Sequence, residues 1–322
     1  MSDENTVLID AYSQIFRSFY AVRRLTTSRG EPVNAIMVFT RLLLTLARGY
    51  AGSRGAMLFD CGKVDFRLKL LPEYKANRPP MPEELRQQLP HLREMASAFG
   101  WPLLQCENFE ADDLIGGIAA TDHHPIWIVS SDKDLSQLID ERVKLLSPAP
   151  GGGFEVRTAA EVVKRFGVAP RLIPDFLALV GDSSDNISGV AGIGPKGAAD
   201  LLNAFGPIER WLEQPELLSG SRYAAKLSGC AELLRRNLAL VRLRCDLPES
   251  WTDLDELLKR REPDWSEISR LCRYWELRSI LRELPPETAV APSEDPGDLF
   301  APAAQPDKPT APDVAPVQGE LF

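Results

Sequence analysis

Through the first half of the chain, short apolar runs alternate with segments of helical spacing, and most of the runs end on an acid. TVLID (6–10) reads as a buried strand. Tyr12–Arg24 follows, with Ile15, Phe16, Phe19 and Tyr20 at helical intervals. TTSRGEP is a turn-rich loop, and Ala35 to Ala47 a strongly apolar helix. AMLFD (56–60) is a second strand, beside the first. A helix over Glu83–Phe99, a short strand PLLQC, the helical run ADDLIGGIAA and the strand PIWIVSS complete the alternation. Such alternation predicts an α/β fold with a mostly parallel central sheet flanked by helices.

Two stretches break the pattern. Between Lys63 and Arg93 lie seven bases and four acids, with Pro79, Pro80 and Pro82 interrupting any continuous helix. This segment, about 63–93, reads as a mobile basic arch outside the sheet. Beyond KLLSP, GGGFEVRT predicts a hairpin, and Thr158 with Glu161 a capping box. The predicted domains are therefore an α/β unit over 1–169, a helical subdomain over 170–284, and a tail over 285–322. The tail holds nine prolines and seven alanines without apolar periodicity, a composition that predicts disorder.

The acids at the strand ends carry the chemistry. Asp10 ends TVLID and Asp60 ends AMLFD. Asp132 and Asp134 follow IWIVSS, and Asp182 and Asp185 follow LALVG. Glu110, Asp112 and Asp113 open the ADDLIGGIAA helix. In an open α/β sheet these positions converge. Two like charges ~4 Å apart repel by roughly 4 kcal/mol at an effective dielectric near 20, so such a cluster calls for multivalent cations. The ligands are all oxygen, which favours Mg²⁺, with Mn²⁺ as a substitute, over zinc. Two or more such ions can activate water and stabilise a leaving oxygen. Taken singly, Asp182 and Asp185 also read as helix caps.

Charge sharpens this picture. The net charge is −9, but residues 285–322 account for −6 and the body for −3. Setting the nine clustered carboxylates aside leaves the body at +6. A basic surface around an acidic centre suits a phosphodiester substrate; charge alone equally describes an ordinary acidic protein. The five cysteines have no paired short spacing, which suggests reduced thiols in a cytoplasmic protein. No secretory signal or membrane span is legible.

SGVAGIGPKGAADLL (188–202) is the second signal. Gly192, Gly194 and Gly197 let backbone approach a phosphate, the following helix aims its N-terminus there, and Lys196 adds charge. The alternative is a tight helix connection with no ligand.

Five segments together resemble the 5′–3′ exonuclease/flap endonuclease family, including the 5′-nuclease domain of bacterial DNA polymerase I. They are LTTSRGEP, YKANRPPMPEELR, EADD, SSDKDLSQLI and GDSSDNISGVAGIGPKGAADLL. With no polymerase region following, the chain is similar to a free-standing member. The resemblance implies a PIN-like α/β fold with a helix–three-turn–helix in the helical subdomain, and divalent-metal cleavage of 5′ flaps, nicks and ends, with removal of RNA primers. It assigns Asp10, Asp60, Glu110, Asp112 and Asp113 to a first metal group. Asp132, Asp134, Asp182 and Asp185 fall in a second. Lys75 and Arg78 become catalytic residues of the arch, and Tyr74 a candidate base-stacking residue. The segment 189–197 becomes a duplex-binding loop assisted by K⁺ on carbonyls, although Gly197 stands where the family commonly has a hydroxyl. The expected state is a monomer. A PIN-like ribonuclease and a catalytically silent DNA-binding protein are the rival readings.

The chain ends QGELF, in which Gln318, Leu321 and Phe322 match a pattern similar to sliding-clamp-binding peptides. The linker 286–317 has a reach of roughly 30 Å, enough to tether a nuclease beside a ring on DNA.

Overall fold

The computed structural model describes residues 5–62, 64–149 and 153–285. Its main sheet contains β1 (Thr6–Asp10), β2 (Arg54–Leu58), β3 (Leu103–Leu104), β4 (Ile126–Val129), β5 (Val143–Pro148) and β6 (Phe154–Arg157). The order is β3-β2-β1-β4-β5-β6, parallel except for the β5–β6 hairpin. In β1, Val7, Leu8 and Ile9 are all fully buried, as expected for a strand covered on both faces. Period-two alternation sends Val7 and Ile9 into one apolar layer and Leu8 into the other.

The first layer is built by α1 (Ala11–Ala21), α2 (Asn34–Gly49) and, after the short α3 (Asp65–Leu70), by α4 (Glu83–Ala98). The second is built by α5 (Ala111–Thr121) and, beyond α6 (Ala159–Phe166), by α7 (Ile173–Val180). α6 starts as expected, with the Thr158 amide donating to the Glu161 carboxylate at 3.1 Å.

The second half is helical: α8 (Pro195–Phe205), α9 (Ile208–Glu213), α10 (Ala224–Leu227), α11 (Ala231–Val241), α12 (Leu254–Leu257), α13 (Trp265–Tyr274) and α14 (Arg278–Leu281). A small hairpin that the sequence pattern does not show, β7 (Gly181–Asp182) with β8 (Ile187–Ser188), stands between α7 and α8. Buried Asn237 of α11 ties α7 to this hairpin by donating to Ala178 O at 3.0 Å and Ser188 O at 2.8 Å.

The helices of 170–284 pack in two places. After α12 the chain returns to the sheet's outer layer, where Arg261 N donates to Gly100 O and Asp264 N to Ala98 O. Ile268, Leu271 and Cys272 then pack in the same apolar cluster as Phe39 and Leu92. The described residues all fall in one compact unit. The expected disordered tail, with Gln318, Leu321 and Phe322, lies outside the described residues, as does Lys63 of the arch. No helix among the described residues is long and apolar enough to cross a membrane.

Candidate metal centre and nucleic-acid interface

Register explains why the strand-end acids meet. Asp10 stands opposite Leu58 of β2, and Ile9 opposite Val129 of β4, so three strands end side by side. A cavity of about 620 Å³ opens there, lined by Asp10, Asp60, Asp112, Asp132, Asp134 and Asp185. Lys75 and Arg78 line the same cavity.

Each acid is fixed by local structure. Asp10 caps α1, accepting from Ser13 N at 3.2 Å, and takes the Ser130 hydroxyl at 2.8 Å. Asp60 accepts from Ala111 N at 2.7 Å, which ties the end of β2 to the start of α5. Asp132 accepts from Asp134 N at 2.9 Å at the head of a 3₁₀ turn. Asp182 accepts from Ser184 N at 2.9 Å. Acids placed as caps are thus held in position for a second task. Ser130 was missed from the sequence.

Glu110 and Asp182 lie just behind the cavity wall, 5% and 4% exposed. Glu110 is 2.7 Å from the Lys75 ammonium. Asp182 is 2.6 Å from that of Lys133, a residue the sequence reading passed over although it sits between two acids in SSDKDL. Asp134, Asp182 and Asp185 bring one oxygen each within 4.8 Å of one another.

Asp113 stands apart from this group. It is fully buried, and its oxygens take the Arg67 guanidinium at 2.5 and 2.7 Å and the Arg244 amide at 3.1 Å. Glu110 and Asp113 lie three apart on one side of α5, whereas Asp112 turns toward the cavity. Asp113 therefore orients Arg67, which reaches Glu110 at 3.1 Å, rather than facing the cavity with the others.

The arch also differs from expectation. Arg67 is 1% exposed, so this base faces inward. Residues 73–78 are laced to 183–186 rather than loose. Lys75 N donates to Asp185 O at 3.1 Å, Asn77 to Ser183 O at 2.6 Å, and Asn186 to Glu73 O at 2.8 Å. Arg78 meets the Asp185 carboxylate at 2.5 Å. Lys75 holds a left-handed φ of 56°, a conformation that costs roughly 1–3 kcal/mol and persists only when neighbours enforce it. Tyr74 is not presented for base stacking. Its ring is buried, and its hydroxyl lies 3.1 Å from Glu110 and 2.9 Å from Asp185, one proton between two carboxylates.

The electrostatics fit cation binding. Burial, then Asp132 and Asp60, push Asp10 up to about 7. Burial, then Asp132, push Asp134 to about 7 as well. Burial also raises Asp112 well above the carboxylate range. Burial would raise Asp182, but the hydrogen bonds from Lys133 and Ser184 outweigh it and leave its carboxyl below the ordinary value. Burial works against charge on Lys75, yet Asp112, Glu110 and Asp185 hold it protonated above its usual range. One oxygen of Asp134 is buried without a hydrogen-bond partner, with only the Lys133 ammonium 3.2 Å away. A crowded, all-oxygen set with an orphaned ligand atom fits hard divalent cations.

The glycine loop forms at a second place. Gly194 caps α8, Gly192 has φ +75°, and Lys196 is exposed on the first turn. Gly197 is buried.

Comparison with known proteins agrees with this geometry. The family model described as "5′–3′ exonuclease, N-terminal resolvase-like domain" matches residues 5–167, and that described as "5′–3′ exonuclease, C-terminal SAM fold" matches 168–266. The chain is 36% identical over 280 residues to a 5′–3′ exonuclease of Aquifex aeolicus, covering 86% of this chain and 94% of that one. It is 38% identical over 294 residues to DNA polymerase I of Pseudomonas aeruginosa, covering 88% of this chain but 32% of the polymerase. In structure it is similar to the T5 5′-exonuclease with bound zinc, with a TM-score of 0.62 at 24% identity over 86% of this chain and 99% of that one. It also resembles a T5 flap endonuclease in complex with DNA and metal ions, with a TM-score of 0.60 at 24% identity and the same coverage.

Proposed function

The chain belongs to the 5′–3′ exonuclease family, and from that premise we propose how its residues cleave. It is a divalent-metal-dependent 5′ nuclease with a PIN-like fold. Its substrates are DNA with 5′ flaps, nicks or ends, and RNA primers on DNA. The observation that carries this reading is one cavity lined by six carboxylates and four basic side chains, Lys75, Arg78, Lys133 and Arg165.

Asp10, Asp60, Asp112 and Glu110 would hold one Mg²⁺; Asp132, Asp134, Asp182 and Asp185 would hold another, with Mn²⁺ able to substitute. Ions bound there supply an activated water and neutralise charge on the leaving oxygen. The chain's own groups do the rest. Lys75 and Arg78 bind the scissile phosphate and steady its added negative charge. Tyr74, kept protonated by burial and by Glu110 and Asp185, orients those two carboxylates. The lacing of 73–78 to 183–186 fixes Lys75 relative to Asp185 before substrate arrives. The loop 188–202 grips duplex backbone away from the cut.

A labelled 5′-flap duplex with Mg²⁺, compared with single-stranded RNA, tests the assignment. Cleavage near the junction, stopped by chelator and absent from RNA, is expected. Preferential cutting of RNA would instead indicate a ribonuclease, and flap binding without cutting a silent DNA-binding protein.

Lys75→Ala is expected to lower the single-turnover rate by about 10²-fold, with a much smaller loss of flap affinity. A rate within twofold of wild type removes Lys75 from the mechanism. The terminal peptide is proposed to dock on a sliding clamp through Leu321 and Phe322 with Gln318. Deleting Gln318–Phe322 is expected to abolish clamp retention in a pull-down and to leave cleavage of free flap DNA unchanged; undiminished retention contradicts this docking.

A further inference from the structure

The loop ahead of α8 is anchored by buried Val190 and Ile193, and Ile193 N closes a turn on Val190 O at 3.1 Å. Gly192, at φ +75°, takes the left-handed conformation that glycine adopts without strain. Its carbonyl is occupied: the Lys226 ammonium of α10 donates to Gly192 O at 2.9 Å. A Cβ on Gly192 would come within 2.6 Å of that ammonium, so the side chain lies against the whole residue.

A second contact comes from the same helical turn. Tyr223 precedes Lys226 by three positions and so shares its face. Its hydroxyl lies 2.6 Å from where a Cβ on Gly197 would stand. The space that a hydroxyl-bearing side chain at 197 would use is therefore filled by a phenol from outside the loop.

These residues do not fit a potassium ion at the loop. A bound K⁺ needs several oxygens to replace its hydration shell. Here Gly192 O already accepts from an ammonium, Gly197 supplies no hydroxyl, and a second cation beside Lys226 would be repelled. The ammonium has three donors, of which the Gly192 bond uses one. That leaves donors to reach a backbone phosphate, as a loop-bound cation would.

We propose that Lys226 is a tethered replacement for the monovalent cation at this loop, so that duplex binding by 190–197 is indifferent to K⁺. The inference rests on the reading of this loop as the duplex grip. Lys226 acts both as a positioning residue for the loop carbonyl and as a phosphate contact.

The test uses the full chain and a covalently closed dumbbell duplex, which offers no 5′ end and so reads grip apart from cleavage. Affinity is measured by fluorescence anisotropy at fixed Mg²⁺ and fixed ionic strength, in potassium chloride or in choline chloride. Wild type is expected to bind equally, within twofold, in both salts. Lys226→Met is expected to bind about tenfold more weakly in choline and to recover part of that loss in potassium. Its thermal melt is compared with wild type so that a folding defect is not read as lost grip. Several-fold tighter wild-type binding in potassium overturns the proposal, as does Lys226→Met binding like wild type in choline. Failure of wild type to bind the dumbbell in either salt overturns the duplex-grip reading itself, and this inference with it.

Discussion

Asp112→Asn is expected to reduce single-turnover cleavage of a 5′-flap duplex by on the order of 10³-fold while leaving the metal-free protein no less stable. Asp112 lines the cavity, and burial raises its carboxyl well above the ordinary range; the Lys75 ammonium opposes the rise, and Glu110, Asp60 and Asp132 add to it. Losing one ligand of a divalent ion forfeits several kcal/mol of transition-state charge stabilisation, and each 1.36 kcal/mol is about tenfold in rate. In chelator, however, the native state gains by losing one of several repelling carboxylates. The rate and the melting temperature therefore move in opposite directions or the latter stays put. Single-turnover kinetics and a melt in chelator check both; a normal rate, or a collapse of stability without metal, contradicts the role assigned to Asp112.

Arg67→Met should behave in the opposite way, with a large loss of stability. It strands the fully buried Asp113 without its guanidinium and removes the 3.1 Å contact to Glu110. Breaking a buried pair by deleting one partner costs about 3–5 kcal/mol, a large part of a domain's stability. Replacing both partners, as Arg67→Met with Asp113→Leu, should recover a large part of it, because the Asp113 charge is gone and Glu110 keeps the Lys75 ammonium at 2.7 Å. Urea unfolding of the two single and the double variants measures the coupling. Additive losses would show that the pair does not act as a unit.

The convergence of acids was legible because a parallel sheet puts all its strand ends on one edge, and Asp10, Asp60 and Asp132 each close an apolar run. Helical period also separates Asp112 from Glu110 and Asp113, although the acids were read as one group. What sequence spacing could not supply was the partner of Asp113: Arg67 lies 46 residues away in a segment whose bases look solvated. Tyr74 misled for the same reason. An aromatic among bases resembles a stacking platform until Glu110 and Asp185 are found on its hydroxyl. The helical character of 170–284 was readable, but the docking of α13 on the α2 and α4 layer depends on contacts such as Asp264 N with Ala98 O, far apart in the chain. The divided helical half follows from that packing.

The central claim is that these carboxylates hold divalent cations in two groups. Anomalous diffraction from crystals soaked in Mn²⁺ tests it most directly. Two peaks are expected, one among Asp10, Asp60, Glu110 and Asp112, the other among Asp132, Asp134, Asp182 and Asp185. No peak at either position, with Lys133 still bridging Asp134 and Asp182 at saturating Mn²⁺, would contradict the account.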